Sequence, residues 1–187
     1  MWQRDARFCP MCGHGLEERQ IEGRARKICG KCRFVLYANP AAAAATLVLD
    51  EDRVVLIRRD IEPYRGSWTL PAGYEEVDEA PAQTAERETR EETGLEVEAY
   101  GLYDLLLTTD DPRKPGILAV FLCRATGGEL SAGAEEADVR WFPLDELPEP
   151  IGFVNNRRIL DRLVQECHGD GPRFIPVTGS AGPAVPA

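Results

Sequence analysis

Cys9-Pro-Met-Cys12 and Cys29-Gly-Lys-Cys32 are two Cys-x2-Cys pairs separated by sixteen residues. No other feature restricts this chain so tightly, because it asks four side chains within one short stretch to meet at a point. Each pair can grip a metal ion from a tight turn, and Gly13 and Gly30 supply backbone freedom beside the two turns. Four thiolates at this spacing predict one closed, tetrahedral structural Zn²⁺ site of the ribbon type, with residues 17–27 as the intervening hairpin. The metal is what lets so small a piece fold, since it cannot bury enough apolar surface on its own. A disulfide pair or redox motif is the competing reading, and His14 is an alternative ligand. The start, MWQRDARFCP, has no apolar stretch of a secretory signal, and the longest near-apolar run, Ala41 to Leu49, is nine residues long. A bilayer needs about 20. No membrane association and a cytoplasmic location are therefore expected, where cysteines serve as metal ligands or buried thiols. Cys123 and Cys167 read as buried, inert thiols.

Charge divides the chain. The whole of it has 32 Asp and Glu against 22 Lys and Arg, a net charge of −10, yet residues 1–40 hold eight Lys and Arg against four Asp and Glu. A basic front precedes a strongly acidic body. That balance disfavours nucleic acid and anionic membrane as partners, since both are polyanions.

Beyond the turn at Asn39-Pro40 the pattern alternates. Ala41–Leu49 and Arg53–Arg59 read as strands joined by the acidic turn 50–52, and Gly66–Gly73 as a short strand. Glu79–Thr93 reads as a helix with Asp78 as N-cap, Pro81 in the first turn and Gly94 just past the end. Tyr100–Leu107, Ile117–Arg124 and Val139–Phe142 read as strands, Asp110–Gly116 as a polar loop, and Arg157–Cys167 as a second helix. The Gly-, Pro- and Ala-rich end reads as disordered. The expected organisation is a zinc ribbon over 1–38, a main domain over 39–170 and a disordered tail over 171–187. The fold class is α/β or α+β, a sandwich around a mixed sheet.

The helix carries the chemistry. Residues 73–96 contain nine Asp and Glu against two Arg. Glu88, Glu91 and Glu92 stand at i, i+3 and i+4, so three carboxylates project from one helix face and repel one another. Divalent cations require such crowding, whereas a solvated face does not. Arg87 and Glu91 form an i, i+4 pair that can hold one carboxylate in place. A second stripe of Ala82, Ala85, Thr89 and Thr93 is small enough to seat the helix closely on a sheet. The residues alone thus predict a hard-metal site, Mg²⁺ or Mn²⁺.

Gly73, five residues, Glu79, seven residues, then Arg87-Glu88-Thr89-Arg90-Glu91-Glu92-Thr93-Gly94-Leu95 resembles the Nudix box. Seven fixed positions agree (Gly73, Glu79, Arg87, Glu88, Glu91, Glu92, Gly94), a coincidence of roughly 10⁻⁸ per window at average residue frequencies. Thr89 stands where the family prefers Ile, Leu or Val, and Asp78 where many members have Gly. With the four-cysteine ribbon, IEPYRGSWTLPAG before the box and RWFPLDELP after it, the resemblance covers about residues 8–165 and is to the zinc-ribbon Nudix hydrolases.

The resemblance implies a Nudix α/β/α sandwich after the ribbon, and Mg²⁺-dependent cleavage of the pyrophosphate in a nucleoside diphosphate linked to another group. It implies Glu91 and Glu92 as metal ligands with the Gly73 carbonyl, Glu88 as ligand or base, Arg87 as the residue that orients the glutamates, and Glu79 in support. It also implies a further Glu on the loop before the RWF strand, either Glu135 or Glu136, with Glu136 favoured. Related NADH pyrophosphatases carry a Ser-Gln-Pro-Trp-Pro-Phe-Pro-like segment after the box. Residues 96–125 contain none, which turns the expected substrate toward ADP-ribose or an FAD-like dinucleotide, with (d)NTPs or NADH as alternatives. Base or ribose contacts are expected from Trp68, Tyr74, Arg58 and Arg65, with Tyr64, Phe153 and Arg59 as further candidates. Relatives are often dimers, so a homodimer is an expectation. Two readings of other classes are a non-catalytic nucleotide sensor and a nucleic-acid-binding ribbon carrying Arg19, Arg24, Arg26, Lys27, Lys31 and Arg33.

Overall fold

The computed structural model describes residues 2–109 and 115–177. The chain begins with α1 (Trp2–Asp5) and a three-stranded antiparallel sheet of β1 (Leu16–Ile21), β2 (Arg24–Cys29) and β3 (Val35–Leu36). β1 is exposed along its middle four positions, so this small sheet has almost no apolar interior of its own.

The second sheet is built from β4 (Ala41–Asp50), β5 (Arg53–Arg59), β6 (Trp68–Thr69), β7 (Ala72–Tyr74), then, after helix α2 (Pro81–Thr93), β8 (Leu95–Thr108), β9 (Gly116–Gly128) and β10 (Glu136–Pro143); helix α3 (Val154–Cys167) and β11 (Ile175–Pro176) follow. Its strand order is β10-β5-β4-β9-β8-β11, with β6 on β5 and β7 on β4. β4 and β9 run parallel and the other pairs antiparallel, so the sheet is mixed. Strand alternation sends Ala44 and Val48 of β4 to one face and Ala45 and Leu47 to the other. The first face packs with Val55, Phe121 and Cys123 against Ala82 and Ala85 of α2. The second packs with Leu56, Val120 and Leu122 against Ile159, Leu160 and Leu163 of α3. The result is an α/β/α sandwich. Among the described residues no helix is long and apolar enough to cross a membrane.

Several expectations about local structure change. β4 and β5 pair only at Leu49↔Val54 and Asp50↔Arg53, after which the chain returns between them as β6 and β7. The single strand expected over Gly66–Gly73 is two strands broken around Leu70-Pro71, because proline has no N–H to continue a ladder. Asp78 is not the N-cap of α2. Ala80 is, with φ −82° and ψ 152°, because the residue before a proline is pushed out of the helical region. The Ala80 N–H instead donates to Gln83 Oε1 at 2.9 Å. Gly94 does close the helix, in the left-handed conformation at φ 74°. β8 starts at Leu95, directly after that glycine, and α3 starts three residues earlier than Arg157. Residues 171–177 depart from the tail reading: Ile175 and Pro176 pair with Leu102 and Gly101, and Phe174 sits edge-on to Tyr100 at 5.4 Å. Gly101 allows it, since a Cβ there would come within 2.2 Å of the Phe174 ring. The remaining tail, 178–187, and residues 110–114 of the expected loop lie outside the described residues.

The small-residue stripe seats α2 as expected, and it has a polar seam. Thr46 of β4 and Thr89 of α2 share a buried hydroxyl–hydroxyl bond at 2.8 Å, and Thr89 in turn donates to the Ala85 carbonyl at 2.8 Å. This explains a threonine where an aliphatic side chain would also fill the space. Thr89→Val strands the Thr46 donor and is expected to cost about 2 kcal/mol in denaturant unfolding. The double variant Thr46→Val/Thr89→Val is expected to recover most of that loss. Equal losses in the two would show that the bond is incidental.

Candidate active site and metal centre

The two cysteine pairs form matching knuckles. In the first, the Cys9 N–H donates to the His14 carbonyl and the Gly13 N–H to the Cys9 carbonyl; in the second, Cys29 bonds Phe34 and Arg33 bonds Cys29 in the same way. The fifth residue of each turn is left-handed, Gly13 at φ 70° and Arg33 at φ 64°. Arg33, rather than Gly30, is therefore the counterpart of Gly13. The four sulfurs lie within 4.8 Å of one another. Cys9–Cys32 and Cys12–Cys29 are 3.5 and 3.6 Å apart. Sulfurs around a tetrahedral zinc stand about 3.8 Å apart, so the donor set fits Zn²⁺. The Cys32 N–H, 3.4 Å from the Cys29 sulfur, favours the Cys29 thiolate that a metal requires. His14 is not part of the sulfur cluster.

The second site lies where α2 crosses β7. Gly73 pairs with Ala44, which faces the helix. A Cβ on Gly73 would fall 2.0 Å from Glu88 Cδ, so the glycine is required by the carboxylate resting against it. One residue earlier, the Ala72 N–H donates to Glu92 Oε2 at 2.8 Å. Arg87 organises the rest. Its Nε and Nη2 grip both Glu79 oxygens at 2.6 and 2.9 Å, and Nη1 reaches Glu88 at 2.7 Å and Glu91 at 3.2 Å. Nη2 also donates to the Tyr74 carbonyl at 3.0 Å, tying the helix to the glycine strand. Glu79, bonded by Arg87 and then by Thr84, is held down at about 2. It is a permanent anion that fixes the arginine.

The other carboxylates are pushed the opposite way. Burial, then the neighbouring Glu136 and Glu88, raises Glu92 to about 8 against the Ala72 bond. Glu88 is raised by burial, with Arg87 opposing, and Glu136 is raised chiefly by burial. Glu88, Glu92 and Glu136 thus share a region in which their ionised forms are penalised until a cation joins them. That is the donor chemistry of a hard divalent ion. Their oxygens do not yet converge: among the described residues, the cysteines are the only such group within 4.8 Å of one another. Arg87 and the Ala72 amide occupy the carboxylates individually.

Of the pair left open by the residues, Glu136 faces this region and Glu135 is exposed. Glu136 is held there by the loop before β10, where Ser131 and Gly133 donate to the carbonyls of Thr93 and Glu92. A side chain at Gly133 would come within 2.5 Å of a Glu136 oxygen. Directly across the ladder from Glu136 is Arg59.

The aromatic and basic candidates separate. Trp68 is 7% exposed, packs edge-on to Phe142 at 4.7 Å and belongs to the core, so it has no free face for stacking. Tyr74 is 54% exposed beside Gly73. Arg58 points to the opposite face from Arg59 and donates to the Gly66 carbonyl. Arg65 forms an exposed ion pair with Asp60. Arg59 is the basic residue brought to the carboxylates, and the signal for it was strand parity: it is two residues from Ile57 on an alternating strand.

Residues 39–163 match the family model for the NUDIX domain, and residues 7–38 that for the Nudix N-terminal zinc ribbon. An ADP-ribose pyrophosphatase of Methanocaldococcus jannaschii is 33% identical over 132 residues, covering 70% of this chain and 78% of that protein. The NAD-capped RNA hydrolase NudC of Salmonella heidelberg is 28% identical over 172 residues, 89% of this chain, and the match spans 63% of that protein's length. The crystal structure of a NUDIX hydrolase from Nitrosomonas europaea superposes with a TM-score of 0.83 at 35% identity, covering 91% of this chain and 97% of that one.

Proposed function

The chain belongs to the Nudix hydrolase family and carries that family's N-terminal zinc ribbon, and from this we propose that it hydrolyses the pyrophosphate of ADP-ribose or a similar nucleoside diphosphate derivative with Mg²⁺ or Mn²⁺. The observation that carries the reading is a set of three neighbouring carboxylates: Glu88 against Gly73, Glu92 on the Ala72 N–H, and Glu136 close enough to repel both, each penalised when ionised. Glu88, Glu91 and Glu92 would hold the cation, together with the Gly73 carbonyl. When bound, such an ion neutralises and polarises a pyrophosphate and lowers the pKa of water. Arg87 keeps three glutamates aligned through one guanidinium. Glu136, across the region from the helix, would accept the proton of an attacking water, and burial raises its basicity. Arg59 supplies the positive charge that lets a diphosphate approach an acidic surface.

ADP-ribose is favoured over NADH because the segment after the box lacks the NADH-associated motif, and because an ADP-ribose pyrophosphatase is among the relatives. A second reading, cleavage of a dinucleotide cap, rests on the relative whose match includes the ribbon. Initial rates with Mg²⁺ on ADP-ribose, FAD, NADH, dNTPs and NAD-capped RNA, with products separated by chromatography, decide between them. Release of AMP and ribose 5-phosphate, fastest from ADP-ribose, is the expected result. Faster turnover of dNTPs would sink the substrate assignment, and no turnover of any would sink the activity.

A further inference from the structure

The loop after β5 and the loop before α3 meet at a pair of aromatic rings. Tyr64 and Phe153 have ring centroids 4.6 Å apart with planes inclined at 54°. Both residues hold a positive φ, 65° and 61°, which a bulky side chain rarely adopts and which costs on the order of 1–3 kcal/mol each. The two loops are laced together around them: the Trp68 N–H donates to the Pro150 carbonyl at 2.9 Å, Gly152 N–H to Trp68 at 2.8 Å, and Ser67 N–H to Tyr64 at 3.0 Å. Gly152 sits tightly between them, since a Cβ there would lie 3.0 Å from that of Tyr64.

Core packing does not account for this arrangement. Neither ring belongs to the cluster under α2 or to the one under α3, and Tyr64 keeps 38% of its surface exposed. What the Phe153 ring does face is Arg59, whose guanidinium carbon lies 5.4 Å from its centre. The Arg59 Nε is anchored on the Pro63 carbonyl at 2.8 Å, and its two terminal nitrogens have no hydrogen-bond partner among the described residues. Arg59 also stands across the ladder from Glu136. A continuous path therefore runs from the carboxylates through a cation with free donors to a strained, partly exposed ring pair.

Resting on the reading that the substrate is a nucleotide, we propose that Tyr64 and Phe153 form the seat of its nucleobase, with Arg59 bonding the phosphate between base and carboxylates. A planar base has a face to stack on Tyr64 or Phe153, and the 5′-phosphate of the same nucleotide can accept from the free terminal nitrogens of Arg59. The site then selects for an aromatic base on one side of the pyrophosphate and leaves the group on the other side less constrained, near Tyr74.

The test is calorimetric titration of the full-length, zinc-loaded protein with AMP, GMP and ribose 5-phosphate in Mg²⁺, beside turnover of ADP-ribose. Phe153→Leu and Tyr64→Leu are expected to weaken AMP about tenfold, leave ribose 5-phosphate within twofold, and raise KM for ADP-ribose about tenfold with little change in kcat. Phe153→Trp keeps a stacking face and is expected to restore AMP binding, which a merely structural role for the ring would not predict. Equal weakening of AMP and ribose 5-phosphate, unchanged AMP binding in both Leu variants, or a base effect that appears in Tyr74→Ala instead would overturn the assignment. So would a wild-type protein that prefers neither AMP nor GMP over ribose 5-phosphate. If AMP binding depends on the rings but ADP-ribose is not cleaved, the seat stands and the substrate reading fails.

Discussion

Glu92→Gln is expected to lower kcat/KM on the best substrate about a thousandfold, ~4 kcal/mol at the barrier, while the protein folds as before. Glutamine keeps the volume and an oxygen for the Ala72 N–H, which Glu92 accepts at 2.8 Å, but it removes the charge a cation would use. The same substitution changes stability in a pH-dependent way, and the sign follows from the direction of the shift. Glu92 is raised from the ordinary 4.5 to about 8, chiefly by burial. Its contribution to stability without added divalent cation is therefore fully present below 4.5 and is lost as pH rises through about 8. At full ionisation that loss is on the order of 5 kcal/mol. Thermal unfolding at pH 5 and pH 8, without added Mg²⁺, should show a decline in the native protein that is markedly smaller in Glu92→Gln. Mg²⁺ at pH 8 should raise the melting temperature of the native protein more than that of the variant. Activity within threefold of the native enzyme would remove Glu92 from the metal site.

Cys29→Ser is expected to abolish the ribbon as a folded unit. Zinc binding in small metal-held folds supplies about 10 kcal/mol or more, which is the folding free energy of the unit itself. Here β1 and its neighbours offer little apolar burial in compensation, and Cys29 is fully buried at the centre of the cluster. Elemental analysis should find about one zinc per native chain and much less in the variant. Amide hydrogen exchange should become fast over residues 16–36 and stay slow across the core strands β4 and β9, whose apolar packing involves no metal. Slow exchange over 16–36 in zinc-free protein would contradict the metal's role.

The box helix and both cysteine pairs were legible because their chemistry repeats at fixed sequence intervals. Carboxylates at i, i+3 and i+4 share a helix face wherever the helix is placed, and a Cys-x2-Cys turn closes on itself. Elements set by long-range packing were less legible. The N-cap moved from Asp78 to Ala80 because Pro81 constrains its predecessor and because Glu79 is drawn away into the Arg87 clamp. The end of the chain has the composition of a disordered tail, yet Ile175 and Pro176 find an open edge on β8 and Phe174 fits over Gly101. Composition has no access to a vacant strand edge.

The sequence by itself determined the ribbon's four-cysteine cluster, the acidic face of α2, the glycine that must lie under it and the family to which the chain belongs, since each depends on residues close along the chain. Only the tertiary structure decided which distant side chains join them. It placed Glu136 rather than Glu135 beside Glu92, turned Arg59 inward and Arg58 away, buried Trp68 and set Tyr64 against Phe153. The physical reason is parity and closure. A strand shows alternate residues to opposite faces, so a one-residue difference in register exchanges a site residue for a surface one. Register between β5 and β10 is settled by packing across the whole sheet, between segments some eighty residues apart.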